Sequence, residues 1–263
     1  MKTDIHNNLI EFGTHHINDW CALDVVGDLI KVEEFLQGQL TSDISIMTNN
    51  TSQLSSICNQ KGQVIADFIT YKQDNKFKII INKNCVELFK EELAPFAKFF
   101  FTTFELSDDK IIGKVSKKDN SMPCYSSNDL FQTSIELNSQ DLSQENSISY
   151  ESWIVAHKLL GILFLKKEDS GKYRPLEINF DNLRVSFEKG CYRGQEIVAR
   201  MKYLGINRRK FCTFTTESDF NEFSKIKILG ETVKLKEKKI FNAIVKRDEL
   251  DEIKKLSGII DIY

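Results

Sequence analysis

The sequence predicts an α+β fold that ends in a stretch of β structure alone. Apolar positions before Gly205 switch repeatedly between strand alternation and helical spacing, whereas after Gly205 only strand patterns follow. Hydrophobic content of 41% with 19 phenylalanines describes a packed globule, and 3 prolines and 12 glycines leave little room for flexible linkers. A chain of 263 residues can bury a sizeable core and, at ~150 residues each, suggests about two domains.

Residues 23–26 read as a buried strand, Asp28 as an N-cap, and 29–36 as a helix with Leu29, Val32, Phe35 and Leu36 on one face, interrupted at Gly38. Residues 56–71 form a hairpin around Asn59-Gln60-Lys61-Gly62. A strand at 77–81, a helix at 85–93 ended by Pro95, and strands at 99–106 and 111–115 suit a ferredoxin-like α+β unit. A polar loop over 117–128 and a strand at 130–137 come next, then a second polar stretch, 138–150, expected to be mobile. Ser152 caps a helix over 153–160 closed by Gly161. The polar stretch 166–180 has the length of a functional loop rather than a connector. Residues 184–187 read as a strand. After Gly205, strands at 211–215, 225–229 paired with 232–235 around Gly230-Glu231, 240–245 and 258–263 describe a small barrel-like domain.

The chemistry is densest at residues 189–205, K-G-C-Y-R-G-Q-E-I-V-A-R-M-K-Y-L-G. Gly190 and Gly194 bracket Cys191 and Tyr192, where the chain can turn sharply. Ile197, Val198, Met201 and Leu204 then recur at helical spacing, with Gly205 as the stop. Cys191 therefore precedes a helix N-terminus, and Lys189 and Arg193 flank it, a setting that favours thiolate. Taken alone, a single cysteine is equally well a small buried hydrophobe.

The net charge is −2, yet residues 189–210 carry seven basic side chains against Glu196 alone, a local charge of +6. Such a segment expects an anionic partner, a carboxylate, a phosphate or RNA, unless the cations are merely solvated. The aromatic residues beside it, Tyr192, Tyr203 and Phe211, are too few for a base-stacking platform. Six cysteines, at 21, 58, 85, 124, 191 and 212, contain no C-x-x-C pair, so no resident metal site is expected. No apolar run reaches the ~18 residues needed to span a bilayer, and the expected location is the cytoplasm. The histidines, His6, His15, His16 and His157, include none that the sequence places beside Cys191 as a hydrolase base.

K-G-C-Y-x-G-Q-E, followed by I-V-A-R, a lysine–tyrosine pair and G-x-N-R-R, resembles the signature of the YgfZ family of folate-binding proteins, relatives of the glycine-cleavage T-protein. F-L-Q-G-Q-L-T-S-D-I at 35–44 resembles an N-terminal segment shared by both. The resemblance implies two intertwined ferredoxin-like α+β domains and a C-terminal barrel-like domain around a central cavity. Residues 1–47 with 118–205 would form the first domain, 48–117 the inserted one and 206–263 the last. It further implies support of the assembly or repair of iron–sulfur enzymes, including enzymes that modify tRNA, with tetrahydrofolate as cofactor. The implied partners are transient client enzymes, with no membrane or direct nucleic-acid contact, and the chain would be a monomer.

Carried onto this sequence, the resemblance makes Cys191 and Lys189 the catalytic pair, Lys189 acidifying the thiol. Asp67, Tyr192, Arg193, Gln195 and Arg200 become folate contacts, and Gly190, Gly194 and Glu196 the backbone of the motif. T-protein relatives have G-G-I-x-D-D where this chain has Ala66-Asp67, so only the second acidic position is kept. That departure counts against the alternative reading, an aminomethyl or one-carbon transferase of the T-protein type.

Overall fold

Three antiparallel sheets organise the computed structural model, which describes residues 8–138, 146–205 and 208–262. The strands are β1 (Gly13–His16), β2 (Trp20–Val26), β3 (Thr51–Cys58), β4 (Val64–Gln73), β5 (Lys76–Asn82), β6 (Thr103–Leu106), β7 (Lys110–Lys117), β8 (Ser126–Ser127), β9 (Phe131–Asn138), β10 (Arg209–Glu217), β11 (Lys227–Leu235), β12 (Lys238–Lys246) and β13 (Ile259–Ile262). Helices α1 (Leu29–Gln39), α2 (Val86–Phe99), α3 (Tyr150–Leu159), α4 (Phe180–Leu183), α5 (Gln195–Leu204) and α6 (Leu250–Ile253) lie between them. The sheet orders are β3-β4-β5-β2-β6, β1-β7-β9-β8 and β11-β12-β10-β13.

The five-stranded sheet is buried on both faces, which is why β5 reads as an unbroken Ile79-Ile80-Ile81. Side chains alternate across a strand: Ile79 and Ile81 join Leu23, Phe68, Phe35 and Phe89 beneath α1 and α2. Ile80 points the other way, with Ala22, Leu54, Ile69 and Trp153. Trp153 lies flat on β7 at Gly113, where a Cβ would come within 2.3 Å of the indole. A third core gathers Leu163, Leu165, Tyr173 and Phe180 against Leu229 and Ile244 of the last sheet.

Several elements differ from the sequence expectation. α1 runs through Gly38 to Gln39, because its last turn is held from outside by Lys189. α2 runs through Pro95 to Phe99, since Phe89, Leu93 and Ala97 bury one face and outweigh the single lost hydrogen bond. The strand read at 99–106 is only Thr103–Leu106, and Phe101 turns the chain at φ 53°. α3 begins at Tyr150 with Ser149, not Ser152, as the cap that accepts from the Ser152 N–H. Residues 184–187 are irregular. β11 is one strand with an irregularity between Leu229 and Val233, where Gly230 has φ 66°, rather than a hairpin of its own, and it forms a hairpin with β12.

The sheets also cut across the expected division at residues 48 and 118. β2 pairs with β5 and β6, whereas β7 pairs with β1 and β9. The polar stretch at 138–150, the Asn207 position of the signature and the final Tyr263 lie wholly or partly outside the described residues.

Candidate functional site: an exposed cysteine and an aromatic cavity

The two segments singled out by motif, 35–44 and 189–195, meet in the structure. The Lys189 ammonium donates to the carbonyl oxygens of Gln37, Leu40 and Ser42 at 2.7, 2.7 and 2.9 Å. Gln37 and Leu40 carry carbonyls at the end of α1 and Ser42 one in the loop after it, so the lysine replaces donors that a continuing helix would supply and ties the loop to it. Burial draws its pKa down to about 8, Asp43 pulling the other way, and the three carbonyls favour the charged form. Arg193 donates its backbone N–H to Gly38 O. Thr41 donates its hydroxyl to Arg184 O at 2.7 Å and accepts the Ser186 N–H at its own carbonyl.

Cys191 is exposed, whereas Lys189 and Tyr192 on either side of it are buried. Arg193 pairs with Glu92 of α2 at 2.6 Å and lies over the Phe96 ring. Gly194 sits at φ 82°, and a Cβ there would come within 2.4 Å of Asn59 O, because the β3–β4 turn packs on it. The loop is thus pinned at 189, 192, 193 and 194, and it displays the thiol between those pins. Cys58 lies inside, against Gly194, where burial pushes its thiol up to about 12. Burial also raises the pKa of the Tyr192 hydroxyl, which has no hydrogen-bond partner.

The Lys189 ammonium, expected to acidify Cys191, is turned toward the end of α1, where it holds three carbonyls. Three of the seven basic residues of the segment pair with acids elsewhere in the chain: Arg193 with Glu92, Lys202 with Asp181 at 3.0 Å and Arg209 with Glu177 at 3.7 Å. Gln195 is half-buried at the start of α5, and Glu196 and Arg200 are exposed on it.

A cavity of about 620 Å³ opens between the five-stranded sheet, α3 and the last sheet. β2, β4, β5, α3, the segment 162–168 and β11 all contribute to its wall. Its aromatic side is Trp20, Trp153 and Phe164, with Trp20 and Phe164 edge to face at 4.6 Å. None of the residues expected as folate contacts lines it. Asp67 comes nearest, bracing the wall from behind by accepting the Leu165 N–H at 2.9 Å. Asp67 is buried and paired with Arg184 at 3.0 Å, and burial pushes its pKa up to about 6 against the pull of that arginine. Arg184 also donates to Ser55 O, Phe68 O and Leu163 O, between the Phe164 and Phe180 rings.

The wall residues His157 and Lys158 were not expected from the sequence. The His157 Nδ1–H donates to Trp153 O at 2.8 Å, which leaves Nε2 to accept from the Tyr125 hydroxyl at 2.7 Å. Burial lowers its pKa to about 4, so the ring is neutral. Both tryptophans of the chain line the cavity. That coincidence, and the interruption of an apolar helix by His157-Lys158, were the available signals. Tyr150 donates to Glu231 at 2.6 Å, Thr213 to Lys158 O and Asn242 to Ile162 O, docking the last sheet on α3 and the wall segment.

This is the fold of the glycine-cleavage aminomethyltransferases. The aminomethyltransferase T of Bartonella henselae superposes with a TM-score of 0.61 at 11% identity, covering 92% of this chain and 81% of that one. No family model matches the chain. It is 31% identical to an uncharacterised protein of Haemophilus influenzae, over 71% of this chain and 68% of that protein. It is 28% identical to the tRNA-modifying protein YgfZ of Vibrio atlanticus over 78% and 70% of the two chains, and 25% identical to that of Klebsiella pneumoniae over 84% and 75%. The chain is thus similar over most of its length to the YgfZ tRNA-modifying proteins.

Proposed function

We propose that the chain is a folate-binding factor that supports the assembly or repair of iron–sulfur enzymes, including enzymes that modify tRNA. The observation that carries the reading is the aromatic-walled cavity between the five-stranded sheet, α3 and the last sheet. Its volume lies within the range of small-molecule sites, and Trp20, Trp153 and Phe164 offer flat faces to a pteridine. The relatives' name, tRNA-modifying protein, supports the client class. In this reading the intertwined α+β domains and the C-terminal barrel-like domain enclose tetrahydrofolate, a carrier of one-carbon units. Cys191, displayed on its pinned loop, is the working thiol toward transient clients in the cytoplasm. The chain acts as a monomer, without membrane or direct nucleic-acid contact; no helix among the described residues is long and apolar enough to cross a membrane.

The transferase alternative needs a carboxylate at the reacting amine. Asp67, the acid kept from that motif, is committed to Arg184 behind the wall, and Ala66 replaces its neighbour. The test is titration with tetrahydrofolate followed by tryptophan fluorescence, since both indoles line the cavity. Saturable quenching is expected. An unchanged spectrum at millimolar ligand would falsify the folate reading.

A further inference from the structure

Lys158 is the most heavily buried lysine of the cavity wall, at 4% exposure for the whole residue, and no described residue bonds its Nζ, which reaches the cavity. An unpaired buried charge is costly, and proteins almost always give it a partner. Several charged or titratable groups face it. Glu231 approaches from β11, but its carboxylate already accepts from the Tyr150 hydroxyl at 2.6 Å. Lys166, Lys167 and Glu168 come from the following segment and Asp19 from the β1–β2 link. His157, next to it on α3, is neutral and has both ring nitrogens engaged. The cavity thus holds balanced charge overall and, in Lys158, a buried cation without a described partner, set beside aromatic faces.

We propose that Lys158 is the anion anchor of the cavity, its ammonium taking one carboxylate of a ligand whose flat ring lies against the tryptophans. The inference rests on the folate reading only for the identity of the ligand; the carboxylate chemistry follows from the wall itself. The polar end of the ligand is then held by α3, not by the basic segment 189–210, which supplies no wall residue. Burial draws the Lys158 pKa down to about 8, with Glu231 opposing and Lys166 adding to the effect. An arriving carboxylate draws it up again, so binding above pH 8 takes up a proton and weakens as pH rises further.

The experiment is reductive methylation of the full chain with ¹³C-formaldehyde, which keeps the charge, with the Lys158 resonance assigned by its loss in Lys158→Arg. That resonance is followed against pH alone, with benzoate, and with tetrahydrofolate. Both additions are expected to shift its titration upward, and Lys158→Met should bind tetrahydrofolate about ten- to a hundredfold more weakly, the scale of one lost charged hydrogen bond. Benzoate acting while tetrahydrofolate does not would remove the folate reading and leave the anchor in place. Saturable tetrahydrofolate binding that leaves both the resonance and the Lys158→Met affinity unchanged would overturn the anchor and leave folate. No response to either probe would overturn both.

Discussion

Arg184 and Asp67 meet at 3.0 Å with both side chains withdrawn from water, tying the strand behind the cavity to the segment that leads into the signature. Asp67→Asn keeps the shape but leaves a buried guanidinium uncompensated. Breaking such a pair from one side costs about 3–5 kcal/mol, to be read from the midpoint of denaturant unfolding. Replacing both residues with apolar ones should cost less than the single change. If Asp67→Asn moves stability by only a few tenths, the pair does not hold the wall.

The two glycines around Cys191 should behave oppositely. Gly194→Ala places a Cβ against Asn59 O at a left-handed φ and should lose more than about 2 kcal/mol. Gly190 has open space around it and no positive φ, so Gly190→Ala should stay within about 0.5 kcal/mol. Thermal melts of the two variants side by side decide this.

Cys191 is the exposed cysteine; Cys124 is partly covered, and Cys21, Cys58, Cys85 and Cys212 are buried. Residue-resolved iodoacetamide labelling at neutral pH should find Cys191 fastest. Cys191→Ser should leave stability unchanged and abolish support of iron–sulfur enzymes in cells lacking the gene. Lys189→Met should instead destabilise by roughly 1.5–3 kcal/mol, because three carbonyls lose a charged donor. Full cellular activity of the serine variant would reduce Cys191 to a surface residue.

His157 sets an acid limit. The folded ring resists protonation down to about 4, whereas an unfolded histidine takes its proton near ~6.5. The unfolded state therefore binds more protons in that window, and stability, complete above 6.5, falls as pH drops toward 4, by about 2 kcal/mol at pH 5. Denaturant melts at pH 7 and pH 5 should show the loss, and His157→Gln should flatten it.

Much of the strand pattern was legible because side chains alternate on buried sheets, and the Asp28 cap and Gly205 stop lay where local chemistry put them. The helix through Pro95 was not, since tertiary burial of Phe89, Leu93 and Ala97 outweighs a local breaker. The motif pointed to the displayed thiol, but it could not reveal that Lys189 serves α1, a contact spanning 149 positions to Leu40. The cavity was hidden for a similar reason: its wall is assembled from β2, α3, the 162–168 segment and β11, and no single stretch carries its pattern.

The Tyr150–Glu231 hydrogen bond and the irregularity at Gly230 bring the last sheet into that wall. Whatever fills the cavity therefore works as mortar between pieces of chain that already share the apolar contacts of Leu163, Leu165 and Phe180 with Leu229 and Ile244, and of Val155 with Val233 and Ile240. Calorimetrically, the empty chain should melt with a shoulder as the C-terminal sheet parts from α3. At a ligand concentration one hundred times Kd, about 2.7 kcal/mol is added to the native state, and the shoulder should merge into one sharp transition.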